Sequence, residues 1–349
     1  MRKEKFIVFP NGGIGDSLQL SPIFELIKRN VPFARTTLVG YNPEQNVILE
    51  GNPWIDRFMY YNKADGAEIN DPFKLFVKVA SVVREMNKHD YVIFATNPSD
   101  LSDSLGIAAY FVTGRKMILY DKDRSKWLRS HYKDVKGRLF RIYQKEFMRQ
   151  AGLDDCNHPD LVYALPEIVL KEQEVAVADA FLRRHNIRNL AVVAPDSTLS
   201  IKTLPDGVVE DAVAMLKSSG FDPVVLTGKW FYLATGSDRY LHFGSENIKE
   251  IAALLSKAAI VITADSGISH IAATLRVPTT TLFGPSSSEW FAPCGVKLFT
   301  IEKACPDKVG WCNACTHERY DPERTGAACL HEITRHELLE ALNYFFGYA

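Results

Sequence analysis

The sequence predicts an α/β protein of two domains, each a parallel sheet covered on both faces by helices. Three observations predict it. Short β-branched and aromatic runs alternate with segments of helical period. Those runs are continuously apolar, as strands buried on both faces must be. The whole series occurs twice in a chain of 349 residues, and a domain averages roughly 150 residues.

The first series has strands at Lys5–Phe9, Thr36–Val39, Tyr91–Ala95 and Met117–Tyr120. The second has Leu190–Ala194, Pro223–Leu226, Ala259–Thr263 and Thr279–Phe283. Between them a charged, weakly apolar stretch ends at Pro166, and a helix over Leu170–His185 follows with Val175, Ala178 and Leu182 on one stripe. The junction therefore falls near 165–172, giving domains 1–168 and 169–333. A last helix starts at the capping box Thr334-x-x-Glu337, with Leu338, Leu342 and Phe345 at i, i+4 and i+7.

Composition excludes several classes. Lys and Arg total 41 and Asp and Glu 42, so the net charge is −1 and a strongly basic nucleic-acid binder is not expected. Apolar residues at 46% are too many for a disordered chain. No run reaches the ~18 apolar residues of a membrane span, and MRKEKFIVFP is too short in apolar residues for a secretory signal. A cytoplasmic protein is expected.

The first strand runs into Gly12-Gly13-Ile14-Gly15-Asp16 and a helix with Leu20, Ile23, Phe24 and Ile27 on one stripe. Gly12, Gly13 and Gly15 permit positive φ and close backbone approach. A dinucleotide fold would need a small residue at position 18 and an acidic residue after the second strand, but Leu18 and Val39-Gly40-Tyr41-Asn42 stand there. A P-loop is absent as well: Gly228-Lys229 is followed by Trp230. Asp16 is either a helix cap or, at a strand's carboxyl end, a carboxylate able to take a proton from an incoming hydroxyl.

In the second half a buried strand ends at Asp265, and Ser266-Gly267 opens a helix. Ser266 and His270 are i, i+4 neighbours, so hydroxyl, backbone N–H, imidazole and helix dipole converge where a diphosphate would be held. A capped helix with a partly buried histidine is the plainer alternative. A serine-hydrolase elbow is excluded, since Ala264 and Ile268 replace its glycines. Ser197, Thr198 and Lys202 follow the strand Leu190–Ala194, where a cation and hydroxyls would neutralise phosphate.

Gly13-Ile14-Gly15-Asp16, Lys202, Asp265-Ser266-Gly267-x-x-His270, Pro278 and Leu282-Phe283-Gly284-Pro285 occur in an order that resembles glycosyltransferase family 9, the lipopolysaccharide heptosyltransferase-like enzymes. The resemblance spans nearly the whole chain. It implies the GT-B fold: two Rossmann-like domains facing across a cleft, an N-terminal acceptor domain and a C-terminal nucleotide-sugar domain, with helix 334–349 returning to the first. It implies inverting sugar transfer from a nucleotide donor, typically ADP-heptose, to a lipopolysaccharide-core or other cell-envelope glycan, with no cofactor or metal required. It assigns Asp16 as general base, Ser197, Thr198 and Lys202 as the donor-phosphate loop, and Asp265, Ser266, Gly267 and His270 as the donor-binding turn. The chain departs from the family at Lys229-Trp230-Phe231-Tyr232, where a glycine and an acidic residue are usual, and in the polar residues of 196–202. A non-catalytic nucleotide-sugar or glycan-binding protein and a GT-B nucleotide-sugar epimerase are the alternatives.

Three further features bear on partners. Asp121-Lys122-Asp123 has the D-x-D form of metal-dependent transferases but also that of a polar turn. Residues 115–149 carry a net charge of +8, with aromatics interleaved. Arg124, Lys126, Arg129, Lys133 and Lys136 are candidate contacts to a lipid-linked or phosphorylated acceptor, or to the membrane's cytoplasmic face. Cys305, Cys312, Cys315 and Cys329 cluster with zinc-knuckle spacing at Cys312-x-x-Cys315, which leaves a structural zinc, a redox-labile pair and unbound thiols open.

Overall fold

The computed structural model describes residues 3–10, 12–61, 71–95, 104–120, 138–153, 162–226, 239–294, 297–303 and 327–347. The chain divides between Val169 and Leu170 into two compact units.

The first unit holds a five-stranded parallel sheet in the order β3-β2-β1-β4-β5. Its strands are β1 (Lys5–Phe9), β2 (Arg35–Gly40), β3 (Arg57–Tyr60), β4 (Tyr91–Phe94) and β5 (Arg115–Ile118). β1 pairs with β2 on one side and β4 on the other, Ile7 lying level with Thr37 and Val92. The helices are α1 (Ile14–Leu20), α2 (Pro22–Asn30), α3 (Pro43–Leu49), α4 (Pro72–Met86), α5 (Ser104–Ala108) and α6 (Arg138–Ala151). The single helix expected after the glycine turn is broken between Leu20 and Pro22, because Pro22 has no N–H to continue the ladder.

The second unit holds a six-stranded parallel sheet in the order β11-β10-β9-β6-β7-β8. Its strands are β6 (Leu190–Ala194), β7 (Asp222–Leu226), β8 (His242–Phe243), β9 (Ile260–Ala264), β10 (Thr279–Phe283) and β11 (Leu298–Glu302). The helices are α7 (Glu172–Arg184), α8 (Asp206–Ser218), α9 (Ile248–Leu255), α10 (Gly267–Thr274), α11 (Ser288–Phe291) and α12 (Arg335–Phe346). Each of β6, β9 and β10 is buried along its whole length, which is why they read as unbroken apolar or threonine-rich runs.

The last helix has its strongest packing within the second unit. α12 packs on α8 and β11 of its own unit, with Leu338 and Leu342 in the core that also holds Val209 and Val213. Phe345, the third residue of the stripe, is partly buried against the same core.

Candidate active site

In open α/β sheets the strand order reverses at one point, and the loops leaving the two strands there diverge to form a crevice. The reversal falls between β1 and β4 in the first sheet and between β6 and β9 in the second. The residues singled out in the sequence sit on the loops that leave β1, β6 and β9.

In the first unit Asp16 lies in the first turn of α1, and its Oδ2 accepts the Gly13 N–H at 2.9 Å. Gly13 is extended, with φ −103°, and Gly15 is inside the helix. Neither uses the left-handed backbone that three glycines suggest. A Cβ on Gly12 or Gly13 would stand 3.7 or 3.6 Å from the Asp16 carboxylate, so their bareness leaves room beside it. Leu18 is buried, which agrees with its failure to match a dinucleotide fingerprint. The turn is fixed from outside by Gln45, whose amide donates to the carbonyls of Gly12 at 2.9 Å and Gly13 at 3.1 Å. Tyr143, on α6, is buried, with its hydroxyl unpartnered among the described residues. Burial, and after it the Asp16 carboxylate, raise its ionisation well above the usual phenol range.

In the second unit three adjacent parallel strands deliver three loops. Ala194 pairs with Thr263 and Leu282 with Ala264, so the loops after β6, β9 and β10 leave the sheet side by side. Lys202 ends the 3₁₀ turn Ser200–Lys202, and its Nζ lies 2.7 Å from Asp265 Oδ2. The Ser286 hydroxyl donates to the same carboxylate oxygen. The ammonium also stands over the Phe291 ring, 5.5 Å from its centre. An ammonium has three protons to donate. One is used on Asp265, and the lysine side chain stays 20% exposed, so it can still meet an anion.

Ser266 caps α10, its hydroxyl accepting the Ile268 N–H at 3.3 Å. Gly267 opens the helix. His270, one turn in, is buried, and loss of hydration pushes its pKa down to about 4, the nearby Asp265 opposing and Lys202 assisting. The imidazole is therefore neutral near pH 7 and offers hydrogen bonding without charge. The cationic character of the site belongs to Lys202 and the helix N-terminus.

Ser197 is buried and its hydroxyl accepts the Leu199 N–H at 3.4 Å; Thr198 is exposed. The structure thus brings Lys202, Asp265 and His270 together, while Ser197 is engaged with its own loop. Arg124, Lys126, Arg129, Lys133, Lys136, Asp121, Asp123, residues 229–232 and Cys305, Cys312 and Cys315 lie outside the described residues. Cys329 is buried and packs near Gly284, and no metal-ligand cluster forms among the described residues.

Four residues escaped the sequence reading. Ser286 stands two residues past the noted Gly284, and a hydroxyl just after a strand end is the only signal it gives. Gln45 was legible as the fourth residue of the capping box Asn42-x-x-Gln45. Tyr143 gives no signal within its helix. Asp196 is 1% exposed, and neither carboxylate oxygen is hydrogen-bonded among the described residues. Burial, and then repulsion from Asp206, raise its pKa to about 7.

Fold and site define a class: an open α/β protein of two parallel-sheet units, with a cluster of polar loops that holds Lys202 and Asp265 at the switch point of the second. Residues 234–316 match the model of glycosyltransferase family 9 (heptosyltransferase). The chain is similar in structure to the glycosyl transferase family 9 protein of Veillonella parvula, at 17% identity and a TM-score of 0.71 over 99% of this chain and 98% of that one. It is similar to the ADP-heptose lipopolysaccharide heptosyltransferase II of E. coli, at 15% identity and 0.65 over 98% of both chains. The E. coli heptosyltransferase WaaC with ADP gives 15% and 0.57 over 86% of this chain and 93% of that one. No curated protein sequence matches the chain. The chain resembles glycosyltransferase family 9 and has the GT-B fold.

Proposed function

We propose that the protein is an inverting, metal-independent glycosyltransferase that moves heptose or a related sugar from a nucleotide diphosphate, ADP-heptose above others, to a cell-envelope glycan. The observation that carries this reading is the Lys202–Asp265 pair, 2.7 Å apart beside the N-terminus of α10. Asp265 and that helix lie inside the stretch that matches the family. Similarity to proteins solved with ADP and with ADP-2-deoxy-2-fluoro heptose supports the choice of donor.

The reaction is one in-line displacement. Asp16 takes the proton of the acceptor hydroxyl as that oxygen bonds to the anomeric carbon. The bond from that carbon to the diphosphate breaks, and its electron pair leaves on the phosphate oxygen. Lys202 and the N–H groups of Ser266 and Gly267 face the charge that develops there, and each such contact supplies on the order of 2–4 kcal/mol. Neutral His270 orients the diphosphate by hydrogen bonding. Asp265 and Ser286 hold the lysine in place, so little reorganisation accompanies bond breaking.

Replacing Asp16 by Asn separates binding from chemistry. Titration with ADP-heptose should give wild-type affinity, while heptose transfer to purified lipopolysaccharide core falls by about 100-fold or more, the lower range for a lost general base. Transfer within a few-fold of wild type would remove Asp16 from the reaction. Lys202→Ala should instead weaken ADP binding, and unchanged affinity there would remove the donor site.

A further inference from the structure

An ion pair sets how close a lysine stands but not where its charge points, because a flexible four-carbon stem carries one compact ammonium. Lys202 Nζ lies 2.7 Å from Asp265 Oδ2, and the Ser286 hydroxyl donates to the same oxygen. The side chain stays 20% exposed, so part of the ammonium is open to an incoming anion. A further neighbour carries no charge. Nζ stands over the Phe291 ring, 5.5 Å from its centre, inside the ~6 Å within which an aromatic face attracts a cation. That attraction strengthens as water is excluded, and this side chain is mostly covered.

The ring stands on a fixed base. α11 has four residues, too few for a helix to persist unaided, and the second unit pins it. Ser288 is buried, and both its N–H, at 3.3 Å, and its hydroxyl donate to the Glu302 carboxylate. Glu302 ends β11, level with Phe283 of β10. Trp290 and Ala292, on either side of Phe291 in sequence, are buried, and the Phe291 N–H donates to the Ser287 carbonyl at 3.0 Å. Phe291 itself remains partly exposed. The core thus holds the backbone here and leaves the ring to the lysine. A leucine would supply the same apolar bulk; what the ring adds is a face of negative potential. The segment after β10 therefore supports Lys202 twice, through Ser286 on Asp265 and through Phe291 directly.

We propose that Phe291 is a positioning residue of the donor site: its ring holds the Lys202 ammonium by cation–π attraction and fixes the direction in which that charge meets a diphosphate. The inference rests on the donor site proposed above and deepens it. Acting through the lysine alone, the ring strengthens binding of the diphosphate and reads neither base nor sugar.

The experiment is calorimetric titration of the full chain with ADP and with inorganic pyrophosphate. Phe291→Leu keeps the apolar bulk and removes the π face. It should bind both ligands about fivefold more weakly, with an unchanged melting temperature. Phe291→Tyr restores a cation-attracting ring and should return both affinities to within about twofold of wild type. In a Lys202→Ala background, Phe291→Leu should add no further loss, since a residue that acts through another has nothing left to act on. Wild-type affinity in Phe291→Leu would overturn the proposal, as would a failure of Phe291→Tyr to restore binding. A loss for ADP that spares pyrophosphate would overturn it too, because the ring would then touch base or ribose. So would a loss of the same size with Lys202 already removed. Wild-type ADP affinity in Lys202→Ala alone would be a different failure: it would remove the donor site, and this inference with it.

Discussion

Asp196 shows how far one residue's behaviour depends on surroundings that no neighbour in sequence reveals. It follows Pro195 in a polar loop and would pass for a solvated turn residue. In the fold it is enclosed, with no donor to either oxygen among the described residues, and its pKa rises to about 7. The folded state therefore holds a proton that the unfolded chain, near the usual carboxyl value, releases between about pH 4 and pH 7. This contribution is fully favourable below that window and is lost as the pH rises through 7. Asp196→Asn keeps the shape and removes the charge. Its melting temperature should exceed wild type by several degrees at pH 8, where on the order of 2–4 kcal/mol of desolvation is relieved, and the difference should shrink steadily as the pH falls and close only below about pH 4. A variant no more stable at pH 8 would mean that the carboxylate is solvated or paired in solution.

The other site residues divide along the same line. Asp16, Lys202, Asp265 and His270 were legible because each follows a strand's carboxyl end, where an open sheet gathers its chemistry. That His270 is neutral was not legible, since charge state follows burial and partners. Ser286 and Gln45 act through residues 21 and about 33 positions away, a separation that a local pattern does not bridge. The positive φ that the glycine turn permits is not used at Gly13, which is extended.

At the scale of elements, the strands that the sequence revealed are mostly buried ones, the edge strand β5 being the exception. β3, β8 and β11 went unread, and all three are sheet edges, only partly covered along their lengths. An edge strand has one neighbour and needs no continuous apolar run, so its sequence looks like loop. The loop after β10 carries the element-scale prediction. A Cβ on Gly284 would come within 2.7 Å of Leu330 and 2.9 Å of the Cys329 sulfur, both in the 3₁₀ turn Ala328–Glu332. Gly284→Ala should cost about 1–3 kcal/mol in chemical denaturation, as overpacking does. It should also weaken ADP binding, because Ser286, two residues on, loses its aim at Asp265. Gly284→Ala with unchanged stability would show that the turn can retreat, and Cys329 would then not be a fixed packing partner.

At the scale of the molecule, two sheets with two cores make two thermodynamic units, and the donor site is assigned to the second alone. Ile7 is fully buried in the core of the first unit, and Leu338, from α12, is fully buried in that of the second. Truncating either to alanine should cost about 2–5 kcal/mol, and in calorimetry each should lower a different transition. ADP at about 100 times its dissociation constant adds about 2.7 kcal/mol to whatever folds around it. It should raise the transition that Leu338→Ala lowers and leave the one sensitive to Ile7→Ala in place. Lys202→Ala should abolish that shift, because the ammonium facing Asp265 is the cation the diphosphate meets. If ADP instead raised the transition sensitive to Ile7→Ala, nucleotide binding would belong to the glycine turn of the first sheet, and the roles assigned to the two units would exchange.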